Sequence, residues 1–115
     1  MSIELKQRLH DAIEACRAIQ SFNHGITYEK YSDSLLLRSG VERQFEILGE
    51  ALGKAELLNP GLSQSIPDIR RIVGLRNRII HGYDSVDDEI IWDAVQTHVP
   101  KLLPILLAEL AITRQ

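Results

Sequence analysis

Apolar residues recur at three- and four-residue steps along most of this chain. Leu5, Leu9, Ala12, Ile13, Cys16 and Ile19 form one stripe and predict a helix over 2–21. Asn23-His24-Gly25 closes it, and Gly25 suits a left-handed turn. The polar and aromatic stretch 27–33 has room for a short helical turn. Leu37, Val41, Phe45, Leu48, Leu52 and Ala55 then predict a long helix over 34–58, with the narrow seam of a packed bundle. Gly49 and Gly53 share one flank of it. Each costs about 1 kcal/mol of helix propensity against Ala, so they point to close approach by a neighbour.

Asn59-Pro60-Gly61 breaks the pattern. A third helix should open near Ser65-Ile66-Pro67-Asp68, with Pro67 at its first position, and end at His81 with Gly82 just beyond the cap. A fourth should follow Ser85, whose hydroxyl can cap it while Asp87, Asp88 and Glu89 meet the positive end of its dipole. Its stripe is Ile91, Val95, His98, Leu102, Leu106 and Leu110, and Pro100 predicts a kink or a fresh start around 97–100. The fold class is therefore all-α, an antiparallel four- to five-helix up-and-down bundle forming a single domain over 1–115.

Composition sharpens that picture. At 115 residues and 13.0 kDa there is room for one core, and 44% hydrophobic with 25% charged residues is a globular balance. Sixteen Leu against five Val favours helix over sheet. So small a bundle buries a modest share of its surface, and the wide stripe 102–110 exceeds what one core needs, so a two-fold homodimer is expected. The longest apolar stretch, 102–108, is short of the roughly 20 residues that span a bilayer, so no membrane partner is expected. With no secretory pattern at the start and a single Cys16, a reducing cytoplasm is the expected location. No Cys pair or His-x3-His spacing suggests a metal, and no cofactor is implied.

A net charge of −3 excludes a uniformly basic coat but not a local basic groove. Arg70, Arg71, Arg76 and Arg78 fall together, and the acids of 84–89 follow directly. On a helical wheel Ile69, Ile72, Val73 and Ile80 form the apolar centre of the third helix, and Arg76 falls among them. A guanidinium on a face meant for burial is costly unless it is paired or lines a wet cleft. The plainer reading is a snorkelling structural Arg. His81 lies five residues on, about 140° around the helix from Arg76, so the two converge only through the length of Arg and the helix end. Asn77 is better placed, one turn before His81, to hold the imidazole in one tautomer. His10, His24 and His98 have no such company, and His98 reads as a core or interface residue.

The run Arg76-Asn77-Arg78-Ile79-Ile80-His81-Gly82-Tyr83 resembles the Arg-x4-His-x-Tyr signature of HepT-type toxins, within the HEPN superfamily of helical ribonucleases. Ile72-Val73-Gly74-Leu75, the stretch 86–100 and the stretch 41–51 resemble the family as well, so the likeness covers most of the chain in order. The resemblance implies a metal-independent RNA endonuclease, the toxin of a HEPN/MNT toxin–antitoxin pair. Arg76 and His81 would be its catalytic pair, supported by Asn77 and Arg78. His81 can serve the proton transfers and Arg76 the phosphate charge. With one such His per chain, a dimer bringing two motifs into one groove would complete an acid–base pair. Arg43, Glu46 and Glu50 would support the site or a dimer contact, although ordinary surface charge fits them too. The resemblance also implies a partner, an MntA-type nucleotidyltransferase antitoxin that attaches AMP to Tyr83. That adds negative charge and bulk beside the RNA groove.

Two rivals come from other classes. One is a non-catalytic dimeric binding subunit of a nucleotidyltransferase. The other is a histidine phosphotransfer bundle, which wants an exposed mid-helix His with a nearby Lys, whereas His81 precedes Gly82 and has no close Lys.

Overall fold

Hydroxyls start the first three helices of the computed structural model, which describes residues 2–82 and 86–113. Ser2 Oγ accepts from Leu5 N at 3.0 Å to open α1 (Ile3–Asn23), and Thr27 Oγ1 accepts from Lys30 N at 3.2 Å to open α2 (Tyr28–Asp33). Ser34 Oγ does the same for Leu37 N at 3.1 Å at the head of α3 (Leu35–Leu58). Gly25, at φ +70°, turns the chain between α1 and α2 in the left-handed region that L-residues avoid. One turn, α4 (Leu62–Ser65), precedes α5 (Ile69–His81).

The last segment is one long helical run with an interruption. It comprises α6 (Asp88–Asp93), a π-turn over Ala94–His98, and α7 (Val99–Thr113). The Val99 N–H reaches back to the Ala94 carbonyl, one residue further than in an α-helix. Pro100 follows at once and has no N–H to give. The irregularity expected at 97–100 is thus a widened turn placed just upstream.

Several boundaries differ from expectation. Pro67 sits in the turn before α5 rather than at its first position, and Asp68 caps that helix without a side-chain bond. Gly82 follows His81 at φ −93°, so no left-handed cap is used there. The cap of α6 is Asp87, whose carboxylate accepts from Glu89 N at 2.9 Å; the expected cap Ser85 lies outside the described residues.

Among the described residues there is no strand, and the architecture is an all-α bundle. α1 packs on α3 and α7, and α3 packs on α5. The α3–α5 register is antiparallel: Gly49 meets Arg76, Gly53 meets Val73, and Glu56 pairs with Arg70 at 3.3 Å. All six stripe positions of α1 are buried, as are Val41, Phe45, Leu48, Leu52 and Ala55 of α3 and Ile91, Val95, Leu102 and Leu106 of the last run, in one continuous core. The run 88–112 is longer than its apolar residues suggested, and by length and composition it could cross a membrane. One face of it, with Ile91, Val95, Leu102 and Leu106, is buried in the bundle.

Candidate active site

α5 faces two ways. Ile69, Ile72, Leu75 and Ile79 are its buried residues. Leu75 and Ile79 therefore replace Val73 and Ile80 in the expected apolar centre, which turns the helix and moves Arg76 to the flank that meets α3. A Cβ built on Gly49 would lie 2.5 Å from the Arg76 Cβ and 3.0 Å from its Cδ. The stem of Arg76 thus lies in the space that a side chain at position 49 would occupy. This is the close approach expected of Gly49. At Gly53 the nearest atom, a Val73 methyl, would be at 3.8 Å, an ordinary contact that does not require glycine.

Arg76 is half-buried, its Nη1 donates to Asn77 Oδ1 at 3.1 Å, and its Nε is buried without a partner. An orphaned buried N–H of this kind is costly in a finished core. Glu50, held below the usual carboxylate range chiefly by its hydrogen bond to Lys54, also feels the Arg76 charge. The stem contact with Gly49 and the bond to Asn77 fix where this guanidinium sits.

His81 closes the last turn of α5 and is exposed. It lines a cavity of about 570 Å³ with Asn77, Arg78, Gly82, Asp87 and Ile90. Arg76 is not among the described residues that line it. The link is Asn77, which lines the cavity and is held by Arg76. The expected Asn77–His81 hydrogen bond is not found among the described residues. Tyr83 and Asp84 lie outside the described residues.

Arg43, Glu46 and Glu50 stay on α3. Arg43 pairs with Glu46 at 2.9 Å, and Glu50 pairs with Lys54 at 3.2 Å. None of the three lines the His81 cavity.

Next to it along α5 lies a second cavity of about 380 Å³, with Leu75, Arg78 and Ile90 bordering both. The second is lined by Arg70, Arg71, Arg78, Asp93 and His98. His98 is buried, as the stripe implied, but it is not an inert core residue. Arg71 Nη1 stands 2.9 Å from its Nε2 and 3.5 Å from its Nδ1, and Asp68 Oδ2 stands 3.5 Å from Nδ1. Asp93 Oδ2 stands 3.5 Å from Nε2. The carboxylates address opposite nitrogens, and the guanidinium is near both. Among the described residues no group fit to hold a metal occurs. The clue to His98 in the sequence was a histidine at a stripe position two residues before Pro100; its partner Arg71, 27 residues upstream, gave none.

The chain belongs to a known class. Residues 12–108, most of the chain, match the family described as Ribonuclease HepT-like, and the chain belongs to that family. It is 31% identical over 101 residues to the protein named "Putative RNase MJ1380" of Methanocaldococcus jannaschii, an alignment spanning 86% of this chain and 90% of the relative. It is also 31% identical over 97 residues to "Probable ribonuclease HepT" of Thermococcus cleftensis, spanning 84% and 87% of the two chains. No solved structure matches the chain.

Proposed function

We propose that this chain is a metal-independent RNA endonuclease, the toxin of a HEPN/MNT pair, acting as a homodimer in the cytoplasm. Family membership supports the ribonuclease part. The observation that carries the chemistry is the cavity holding His81, Asn77 and Arg78, with Arg76 bonded to Asn77 at its edge. Cleavage needs only proton transfer and charge stabilisation. The 2′-hydroxyl gives up its proton and attacks the adjacent phosphorus, a new O–P bond closes the 2′,3′-cyclic phosphate, and the P–O5′ bond breaks as O5′ takes a proton. His81 carries a proton in one of these transfers, and a second copy of the same imidazole across a dimer carries the other. Arg78, and Arg76 through its remaining N–H donors, stabilise the charge that builds on the phosphoryl oxygens. Exposed Leu35 and Leu36, at 70% and 86% accessible, support a surface reserved for a second copy.

Silencing completes the proposal. Tyr83 follows Gly82, which lines the His81 cavity. AMP attached there by an MntA-type nucleotidyltransferase would set negative charge where phosphate must enter. The non-catalytic binding-subunit reading draws on one observation, that the Arg76 guanidinium is not among the groups lining the cavity within a protomer.

The test is degradation of RNA by the purified chain in EDTA. The wild type should cleave and His81→Ala should not, whereas binding without cleavage would favour the binding subunit. Incubation with the cognate transferase and ATP should add the mass of AMP to the wild type and none to Tyr83→Phe. No gain in the wild type would refute the modification.

A further inference from the structure

We propose that the cavity beside His98 is a second phosphodiester subsite, which holds the RNA strand a few nucleotides from the bond cleaved at His81. This rests on the ribonuclease reading and adds a site to it. Arg71, Gly74, Arg78 and His81 follow one another at three- and four-residue steps, so they share a face of α5. That face borders both neighbouring cavities: Arg71, Gly74 and Arg78 line one, and Arg78 and His81 line the other. From His81 to Arg71 is ten residues, about 15 Å along the axis. A stacked strand advances about 3.4 Å per nucleotide, so several of its phosphates fit that span.

Among the described lining residues of the second cavity, the Arg70, Arg71 and Arg78 guanidinium groups stand against the carboxylate of Asp93. Arg70 is partly neutralised by Glu56 at 3.3 Å. Arg78 has no hydrogen bond or ion pair among the described residues. Arg71 places Nη1 against the His98 ring, and its other N–H groups have no hydrogen-bond or ion-pair partner among the described residues. A planar fork held at one edge is pre-organised for the paired oxygens of a phosphate. A Cβ at Gly74 would touch nothing within 4 Å, so the floor of the groove is open.

His98 is the positioning residue. Arg71 Nη1 lies 2.9 Å from Nε2 and 3.5 Å from Nδ1, so the imidazole holds one edge of the guanidinium, and Asp68 faces the ring from its Nδ1 side. The π-turn makes this arrangement possible. Positions 93 and 98 lie about 140° apart on an α-helix. A π-turn narrows that angle, and Asp93 Oδ2 stands 3.5 Å from the imidazole Nε2. Widened turns of this kind are often retained where they aim a functional side chain.

The test compares a twelve-residue oligoribonucleotide with a dinucleoside monophosphate, which has one phosphate and cannot reach a second subsite. Arg71→Gln should lose about tenfold in kcat/KM on the dodecamer, as expected for one charge-assisted contact, and nothing on the dinucleotide. In the non-cleaving His81→Ala background, the same change should weaken dodecamer binding and reduce the slope of log K against log salt by about 0.7. His98→Gln should weaken dodecamer binding with the slope unchanged, because the charge remains and only its placement is lost. Arg71→Lys should keep the slope and recover part of the affinity. Thermal unfolding and sedimentation of each variant identify effects that arise from folding or assembly.

Equal losses on both substrates would overturn the subsite, as would wild-type affinity and slope in Arg71→Gln, or losses that track a change of oligomeric state. An active wild type with an indifferent Arg71→Gln sinks the subsite alone. A wild type that neither binds nor cleaves RNA sinks the proposed function with it.

Discussion

Substituting alanine for Gly49 and for Gly53 makes the same change on one helix and should give opposite results. Both exchanges remove a helix-disfavouring glycine, a gain of about 1 kcal/mol each. At Gly53 the added methyl meets Val73 at 3.8 Å, so nothing opposes the gain. At Gly49 it would sit 2.5 Å from the Arg76 Cβ and 3.2 Å from its Cγ. Carbon atoms prefer about 3.5–4.0 Å, and a Cβ cannot swing aside like the end of a side chain. α5 must therefore move by about 1 Å, and overpacking of this kind costs about 1–3 kcal/mol. Net of propensity, Gly49→Ala should be neutral to about 2 kcal/mol destabilising, and Gly53→Ala stabilising by about 1 kcal/mol. At roughly 4 °C per kcal/mol the two melting temperatures should separate by roughly 4–12 °C. Cleavage provides a second reading, because a displacement of about 1 Å at a positioned group costs up to about 100-fold in rate. Gly49→Ala should lose RNA cleavage while still folded, and Gly53→Ala should keep it. If Gly49→Ala melts with Gly53→Ala above the wild type and cleaves normally, the account of how Arg76 is held is wrong.

Other outcomes follow from burial and charge. Glu42 is pushed above the usual carboxylate range, first by burial and then by Asp88. The folded state therefore binds more protons than the unfolded chain in that window, and stability falls as pH rises through it. Glu42→Gln should raise the melting temperature at neutral pH, and the gain should vanish below the ordinary Glu range; a constant gain at every pH would contradict this. Burial pushes the Cys16 thiol up to about 12, so it should react with a disulfide reagent at neutral pH only as fast as the bundle opens. Immediate stoichiometric labelling would contradict that burial. Phe45 is fully buried, and Phe45→Ala should cost about 3–5 kcal/mol in urea unfolding, with a loss under 1 kcal/mol the contrary result.

The repeating stripes made the helices legible, because burial on one face is written at three- and four-residue steps. The glycine pair was legible only as a pair: Gly49 serves Arg76, and Gly53 has no such neighbour. The wheel placed Arg76 near the apolar face, yet the helix is rotated toward Leu75 and Ile79, and so the guanidinium turns to Asn77. That rotation is set by packing on α3, which no local pattern encodes. The Arg71–His98 contact joins two segments far apart in the chain, and His98 closes a π-turn, a backbone choice that Pro100 hinted at without specifying.

The central claim is that a histidine at the end of α5 cleaves RNA through the neighbouring 2′-hydroxyl. The most direct measurement is product analysis by mass spectrometry after incubation of wild type with an oligoribonucleotide in EDTA, beside the same oligomer carrying a 2′-deoxy sugar at the cut site. The account predicts fragments ending in 2′,3′-cyclic phosphate and 5′-hydroxyl from the first, an intact second, and no products from His81→Ala. Cleavage of the 2′-deoxy oligomer, or fragments released at the wild-type rate by His81→Ala, would contradict it.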